Sequence, residues 1–222
     1  DQVIHDVCMQ NLHVVLCSDR AGVVGADGET HQGILDLSFF NIVPNFVIMA
    51  PKNFKELEDM LEFAIDYNGP IYIRYPRGGE ESTKIDKEEK IELGKAEKLA
   101  EGNDYTIVAL GKMVQRAYEI SNILKKEGIG VGVINARFLK PFDEENIISW
   151  IGNSKVITIE DNIIKGGLGS TVLEALKKYH KTNELKMLGY PDEFIKQGTV
   201  DEIEKDYKLD VESILDMIRK WS

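Results

Sequence analysis

Apolar residues fall in short blocks whose period switches repeatedly along the chain, and each switch marks a change of element. Residues 1–12 place Val3, Ile4, Val7, Cys8 and Leu12 at helical spacing, which predicts an amphipathic helix. No Met and no N-cap precede Val3, so a start inside a longer chain is expected. Residues 14–17 read as a strand, 46–50 as a continuous apolar strand buried on both faces, and 71–75 as a third. Between the last two, Asn53 with Glu56 three residues on suggests a capping box, and Phe54, Leu57, Leu61 and Ala64 share one helical face. Gly69 and Pro70 stop that helix.

Residues 79–93 are poor in apolar residues and have no sustained period, as expected of an exposed connection between two domains. A second alternation follows: strands at 105–110, 131–136, 155–160 and 185–189, with helices at 113–124, 143–150 and about 170–179. Two helices close the chain, with Thr199 and Glu202 at the head of one and Asp210 at the head of the other. Strand and helix in alternation give an α/β protein of two mostly parallel-sheet units. The expected division is 1–78, a linker at 79–93, and 94–222, with an independent sheet in each unit.

At 222 residues and 43% apolar, the chain can bury proper cores. The net charge of -11 argues against nucleic acid and anionic membranes as partners, since both select a basic face. No run approaches the length of a spanning helix, and a cytoplasmic protein is expected. Cys8 and Cys17 lie in apolar-periodic segments without metal spacing and are expected as buried, reduced thiols.

The densest chemistry lies at 19–36, where an apolar strand runs into a loop holding Gly22, Gly25, Gly28 and Gly33 together with Arg20, Asp27, His31 and Asp36. Open α/β sheets bind ligands at such strand ends. Arg20 and Arg77 follow two strands of one sheet, so both can project to the same edge. Two guanidinium forks suit a phosphate dianion, although each could instead pair with a surface carboxylate, such as Asp19 for Arg20. Asp27 and His31 are four apart, and a His near a carboxylate can hold a defined tautomer and move protons near neutral pH. Arg74, one pleat from Tyr75, is expected to point elsewhere and serve structure. The Gly-Gly-Leu-Gly run at 166–169 lacks the spacing of a dinucleotide site and is better explained by close packing at a helix start.

The stretch DRAGVVGADGETHQG, then DLSF, PNFVIMAP and RYPRG, and later RFLKPFD, EDNIIKGGLGS and GYPDEFIKQG, resembles the 1-deoxy-D-xylulose-5-phosphate synthases, thiamine-diphosphate enzymes related to transketolase. The resemblance covers nearly the whole chain. It implies the latter part of a pyrimidine-binding domain followed by a transketolase-type C-terminal domain, without the N-terminal diphosphate-binding domain. It further implies an enzyme that condenses pyruvate with glyceraldehyde 3-phosphate, releasing carbon dioxide, on the way to isoprenoids, thiamine and pyridoxal. Arg20 and Arg77 would hold the acceptor phosphate, Asp27 would orient substrate or loop, and His31 would donate to a developing oxygen charge or carry a proton.

Thiamine diphosphate and Mg2+ are implied for the full-length enzyme. None is expected here, because the Asp27–Gly28 pair is not the family's metal motif and the activating glutamate would lie upstream of Asp1. The fragment alone is expected to be inactive, and a homodimer is expected. Two other readings stay open: a split transketolase or 2-oxo acid dehydrogenase β-type subunit, and a non-catalytic dimerisation module.

Overall fold

The computed structural model describes residues 1–78, 85 and 89–221. The chain opens with a π-helical segment, Val3–Cys8, whose bonds run five residues back, as in Met9 N–H to Ile4 O at 2.9 Å. The first unit then runs β1 (Val15–Ser18), α1 (Asp36–Asn41), β2 (Val47–Met49), α2 (Phe54–Asp66) and β3 (Ile71–Arg74). The second comprises β4 (Glu97–Ala100), β5 (Tyr105–Ala109), α3 (Met113–Lys126), β6 (Val131–Asn135), β7 (Phe138–Lys140), α4 (Glu144–Ile151), β8 (Lys155–Ile163), α5 (Leu168–Lys178), β9 (Leu185–Tyr190), α6 (Val200–Asp206) and α7 (Val211–Lys220).

One sheet has the order β1-β3-β2-β7, the other β4-β6-β5-β8-β9. Both are mixed α/β sheets in which parallel pairing dominates. β1, β3 and β2 are parallel, with Ile71 opposite both Val15 and Val47. In the second sheet only β4 runs antiparallel, against β6. Among the described residues no helix is long and apolar enough to cross a membrane.

The two sheets are not independent, as the pattern had suggested. β7, from the second half of the chain, adds antiparallel to β2 and completes the first sheet. One core then runs through both units: Leu37, Phe46, Ile48 and Tyr72 pack in the same cluster as Val108, Ile134, Leu139 and Val172. The expected connection at 79–93 lies largely outside the described residues. Of those described, Ile85 is buried with the second sheet's core and Ile91 with the first's. Cys17 also departs from expectation, since β1 is an edge strand and its thiol is exposed, whereas Cys8 is buried.

α2 shows what governs the seam. Its predicted apolar face is rotated: Phe54 is 59% exposed, and the buried positions are Glu56, Met60 and Ala64. Asn53 does cap the helix, accepting the Glu56 N–H at 2.8 Å. The Glu56 carboxylate, however, turns inward to the Lys52 N–H at 2.6 Å, the Lys52 ammonium at 3.1 Å and Arg137 Nε at 2.8 Å. Lys52 also reaches Glu97 at 2.7 Å, and Arg137 Nη2 lies 3.3 Å from the same residue. Two buried cations thus meet two buried carboxylates across the units, which draws the helix face inward at Glu56. Buried charges persist only when paired, and removing one partner strands the other at a cost of about 3–5 kcal/mol. Arg137→Ala is therefore expected to lower unfolding stability by about that much in urea denaturation, and a loss below about 1 kcal/mol, the scale of a surface pair, would show that the network does not hold the units together.

Candidate active site

The carboxyl ends of β1, β3 and β2 deliver three loops to one edge, and the carboxyl ends of β5 and β8 deliver the second unit to the same place. The loop after β1 is pinched at its base by paired bonds between Gly22 and Gly33, each N–H to the other's carbonyl at 2.7 Å. Gly22 has φ +80°, and a Cβ there would fall 1.5 Å from Asp161 Oδ2. Only glycine fits this approach of backbone to carboxylate.

Arg74 closes the seam from below. Its side chain is buried and donates to Asp36 Oδ2 at 2.7 Å, to the Gly33 carbonyl at 3.1 Å and to the Asp161 carbonyl at 3.0 Å. Burial opposes its charge, but Asp36 and Asp161 outweigh that and hold the guanidinium above its ordinary value. Asp161 also binds Lys112 at 2.9 Å, and Lys112 binds Glu204 at 3.1 Å. Burial pulls the Lys112 ammonium down, and these two carboxylates more than restore it.

The loop tip carries the sequence-predicted residues. Arg20, with φ +58°, and Arg77, on the loop after β3, both direct Nη1 at the same oxygen, Asp27 Oδ2, at 3.4 and 3.0 Å. Asp27 ends a short 3-10 turn, Gly25–Asp27, and the Ala26 carbonyl just before it accepts from Gln197 Nε2 at 3.1 Å. His31 is also on the exposed rim, but Asp27 is engaged with the arginines, and the His31 ring meets Thr30 Oγ1 at 2.9 Å. Thus Arg20, Arg77 and Asp27 are brought together, with His31 on the same loop. Beside them opens a cleft of about 310 Å³ between the units, lined by Phe54, Leu57, Tyr75, Arg77, Lys112 and Glu204 among others.

Sequence reasoning missed Asp161, Lys112 and Gln197 as supports of this loop. One signal was available: three polar residues in a row, Glu160, Asp161 and Asn162, continue an apolar strand, an arrangement that demands buried partners. Asn162 supplies Nδ2 to Ser38 Oγ at 2.7 Å, and Glu160 accepts the Leu168 and Gly169 N–H groups at 2.8 Å each. The Gly-Gly-Leu-Gly run is explained by that cap, since a Cβ at Gly167 would lie 1.9 Å from Glu160 Oε2. α5 accordingly starts at Leu168, two residues before the expected position.

Among the described residues no three His, Cys, Asp or Glu side chains converge as metal ligands. A magnesium diphosphate does not fit the donor set present among the described residues.

Residues 1–79 match the transketolase pyrimidine binding domain and residues 94–214 the transketolase C-terminal domain. The chain belongs to the transketolase family. Within it, the chain is 47% identical over 220 residues to the 1-deoxy-D-xylulose-5-phosphate synthase of Caldanaerobacter subterraneus subsp. tengcongensis, covering 98% of this chain and 35% of that protein. It is 46% identical over 224 residues to the synthase of Clostridium botulinum, covering 100% and 36%. It therefore spans about a third of the length of these relatives. A split gene transketolase, described as an inactive beta4 tetramer, superposes with TM-score 0.88 at 29% identity over 99% of this chain and 70% of that one. A transketolase mutant from Pichia stipitis, at TM-score 0.76 and 22% identity over 96% and 30%, shares the fold.

Burial pushes the Glu160 carboxyl up to about 8, against the pull of the Gly169 and Leu168 N–H groups. An acid whose folded value is raised binds its proton more tightly when folded, so stability is greatest below the ordinary value of 4.5 and falls as pH rises toward about 8. Glu160→Gln removes the titration. The stability of the native chain relative to this variant is expected to fall, on the order of a few kcal/mol, as pH rises from 5 to 8, in denaturation curves taken across that range. A constant difference would show that Glu160 stays ionised throughout.

Proposed function

We propose that this chain supplies the acceptor-binding side of a 1-deoxy-D-xylulose-5-phosphate synthase, which joins pyruvate to glyceraldehyde 3-phosphate with loss of carbon dioxide. The observation that carries this is the convergence of Arg20 and Arg77, from two separate loops, on one anionic oxygen at the carboxyl edge of a parallel sheet. Whole-chain identity of 46–47% to synthases supports the substrate assignment. In this reading the two guanidinium groups hold the phosphate, and His31 on the rim donates to, or carries a proton for, the substrate oxygen. Asp27 orients the substrate hydroxyl or the loop. Thiamine diphosphate with Mg2+ supplies the carbon-carbon chemistry in the whole enzyme, a cytoplasmic homodimer. The domain division is proposed at 79–93.

The likeness to a split gene transketolase favours a second reading, in which a separate chain supplies the diphosphate-binding domain of a two-chain enzyme. Co-purification of a partner chain that restores activity would select it. Under either reading the 222-residue chain alone is expected to show no synthase activity and no magnesium-dependent binding of thiamine diphosphate, and stoichiometric cofactor binding in a calorimeter would overturn that expectation.

Each charge-assisted hydrogen bond contributes about 1.5–3 kcal/mol, and 1.4 kcal/mol is about a factor of ten in affinity. Replacing Arg20 or Arg77 by Ala in the assembled enzyme should weaken glyceraldehyde 3-phosphate by about ten- to a hundred-fold, with pyruvate little affected. Arg77→Lys should recover only part, because an ammonium keeps the charge without the fork. The deciding comparison is glyceraldehyde without phosphate: an equal loss for both aldehydes would mean that the arginines serve the loop and not the phosphate.

A further inference from the structure

We infer that two glutamines reaching across the seam in opposite directions, Gln32 of the first unit and Gln197 of the second, are positioning residues that set where the tip of the rim loop stands. The second unit thereby takes part in the reaction by placing that tip. The inference rests on the reading of Asp27 and His31 as substrate-facing residues and adds what holds them in place.

The loop after β1 is rooted in the second unit. Val23 and Ile34, on its two arms, are buried in one cluster with Ile163, Tyr190, Ile195 and Ile203, so apolar burial fixes the base. The tip has no such anchor, since Ala26, Asp27, Glu29, Thr30 and His31 are all exposed. An exposed segment with few apolar contacts opens easily unless hydrogen bonds hold it. Two such bonds cross to the second unit. Gln197 Nε2 donates to the Ala26 carbonyl at 3.1 Å, and Gln32 Nε2 donates to the Lys196 carbonyl at 3.5 Å. The other end of the Gln32 amide accepts the Val24 N–H at 2.8 Å, which fixes its orientation and ties the two arms together.

The tip is seated directly on the second unit's backbone. A Cβ at Gly25, whose φ is +68°, would lie 2.9 Å from the Gly198 carbonyl oxygen, so only glycine allows this approach. Thr199 then opens the capping box of α6, which fixes the start of the helix that follows. Movement of the tip carries Asp27 and His31 together. Ala26 and Asp27 share the short turn Gly25–Asp27, and the His31 N–H donates to the Gly28 carbonyl at 3.0 Å. The tether requires a donor at position 197. A carboxylate there would face the Ala26 carbonyl with no proton to give, whereas an ammonium would still donate.

The test has two arms. In the 222-residue chain, amide hydrogen exchange is followed at Gly28 and His31 on the tip and at Gly22 and Gly33 at the base. In the assembled enzyme, kcat and KM are measured for pyruvate and for the acceptor aldehyde. Gln197→Ala and Gln32→Ala should each speed exchange at the tip by about two- to ten-fold, the range of one lost hydrogen bond, and leave the base unchanged. Both should lower kcat/KM for the acceptor by a similar factor, with KM for pyruvate little changed. Gln197→Lys should restore most of both losses and Gln197→Glu neither, and melting confirms that each variant folds. Tip exchange within about two-fold of native in both alanine variants overturns the latch. Faster tip exchange with native kinetics overturns the positioning role, as does an equal loss for pyruvate and acceptor. Exchange is read without substrate, so the latch stands or falls independently of the reading of Arg20 and Arg77, which the phosphorylated and unphosphorylated aldehydes decide.

Discussion

Two parallel-sheet units meet at the carboxyl ends of their strands, and at that seam a single buried guanidinium, Arg74, ties Asp36, Gly33 and Asp161 together. Gly33 lies in the loop after β1, Asp36 is the first residue of α1, and the third partner is the backbone of β8 in the other unit. Strand ends of parallel sheets carry unpaired backbone groups and loops, so two such ends brought face to face need donors and acceptors supplied from side chains. Arg74 supplies three donations from one planar group. Gly22 lets the loop backbone lie against the Asp161 carboxylate, and Lys112 pairs with the same carboxylate oxygen. The position of the Arg20–Asp27 loop thus depends on residues of the second unit as much as on the strand that precedes it.

The same logic runs along the rest of the seam. Lys52, Glu56, Glu97 and Arg137 form a buried set with balanced charge, and Asn135 adds donors to both carboxylates. Such groups contribute less net stability than apolar residues of equal volume would, because each has lost its water. Their effect is geometric. Glu56 and Glu97 each meet both Lys52 and Arg137, which sets four contact distances, two of them across the units. Docking also fixes the rim loop, since Arg20 and Arg77 lie in the first unit and Gln197, which holds the turn beside Asp27, lies in the second.

What could be read from sequence divides along this line. Elements with a continuous apolar run or a sustained apolar period were legible: the strands at 14–17, 71–75 and 105–110 and the helix from Met113 appear where the pattern placed them. So were the local caps, with Thr199 and Glu202 forming a full capping box and Asp210 accepting the Ser213 N–H. The pattern failed where a charge partner decided burial. Phe54 was assigned to the core and is exposed, and Glu56 was assigned to a cap and is buried, because Lys52, Asn135 and Arg137 attract it from up to 81 residues away. β4 and β7 were missed for a related reason: both are short, carry lysines, and take their identity from antiparallel partners distant in sequence. At the site, Arg20, Asp27, His31 and Arg77 were legible as types on one loop edge, but the sharing of one Asp27 oxygen between both arginines was not, because it depends on the relative height of two loops.

Charge sets the remaining constraint. With a net charge of -11, the chain repels an anionic substrate at long range. Screening confines that repulsion to about 8–10 Å at physiological salt, so approach is slowed rather than prevented. Recognition must then come from contacts made inside that distance, and a pair of guanidinium groups on the rim meets this need only if they remain poised and do not collapse onto the abundant surface carboxylates. A single tethered carboxylate of the same loop keeps both side chains extended over one point. Its own side chain is 30% exposed, so the pair stays within reach of solvent. In an acidic protein, two exposed arginines that share one local carboxylate gain little stability from it, because such surface pairs are weak and screened by salt.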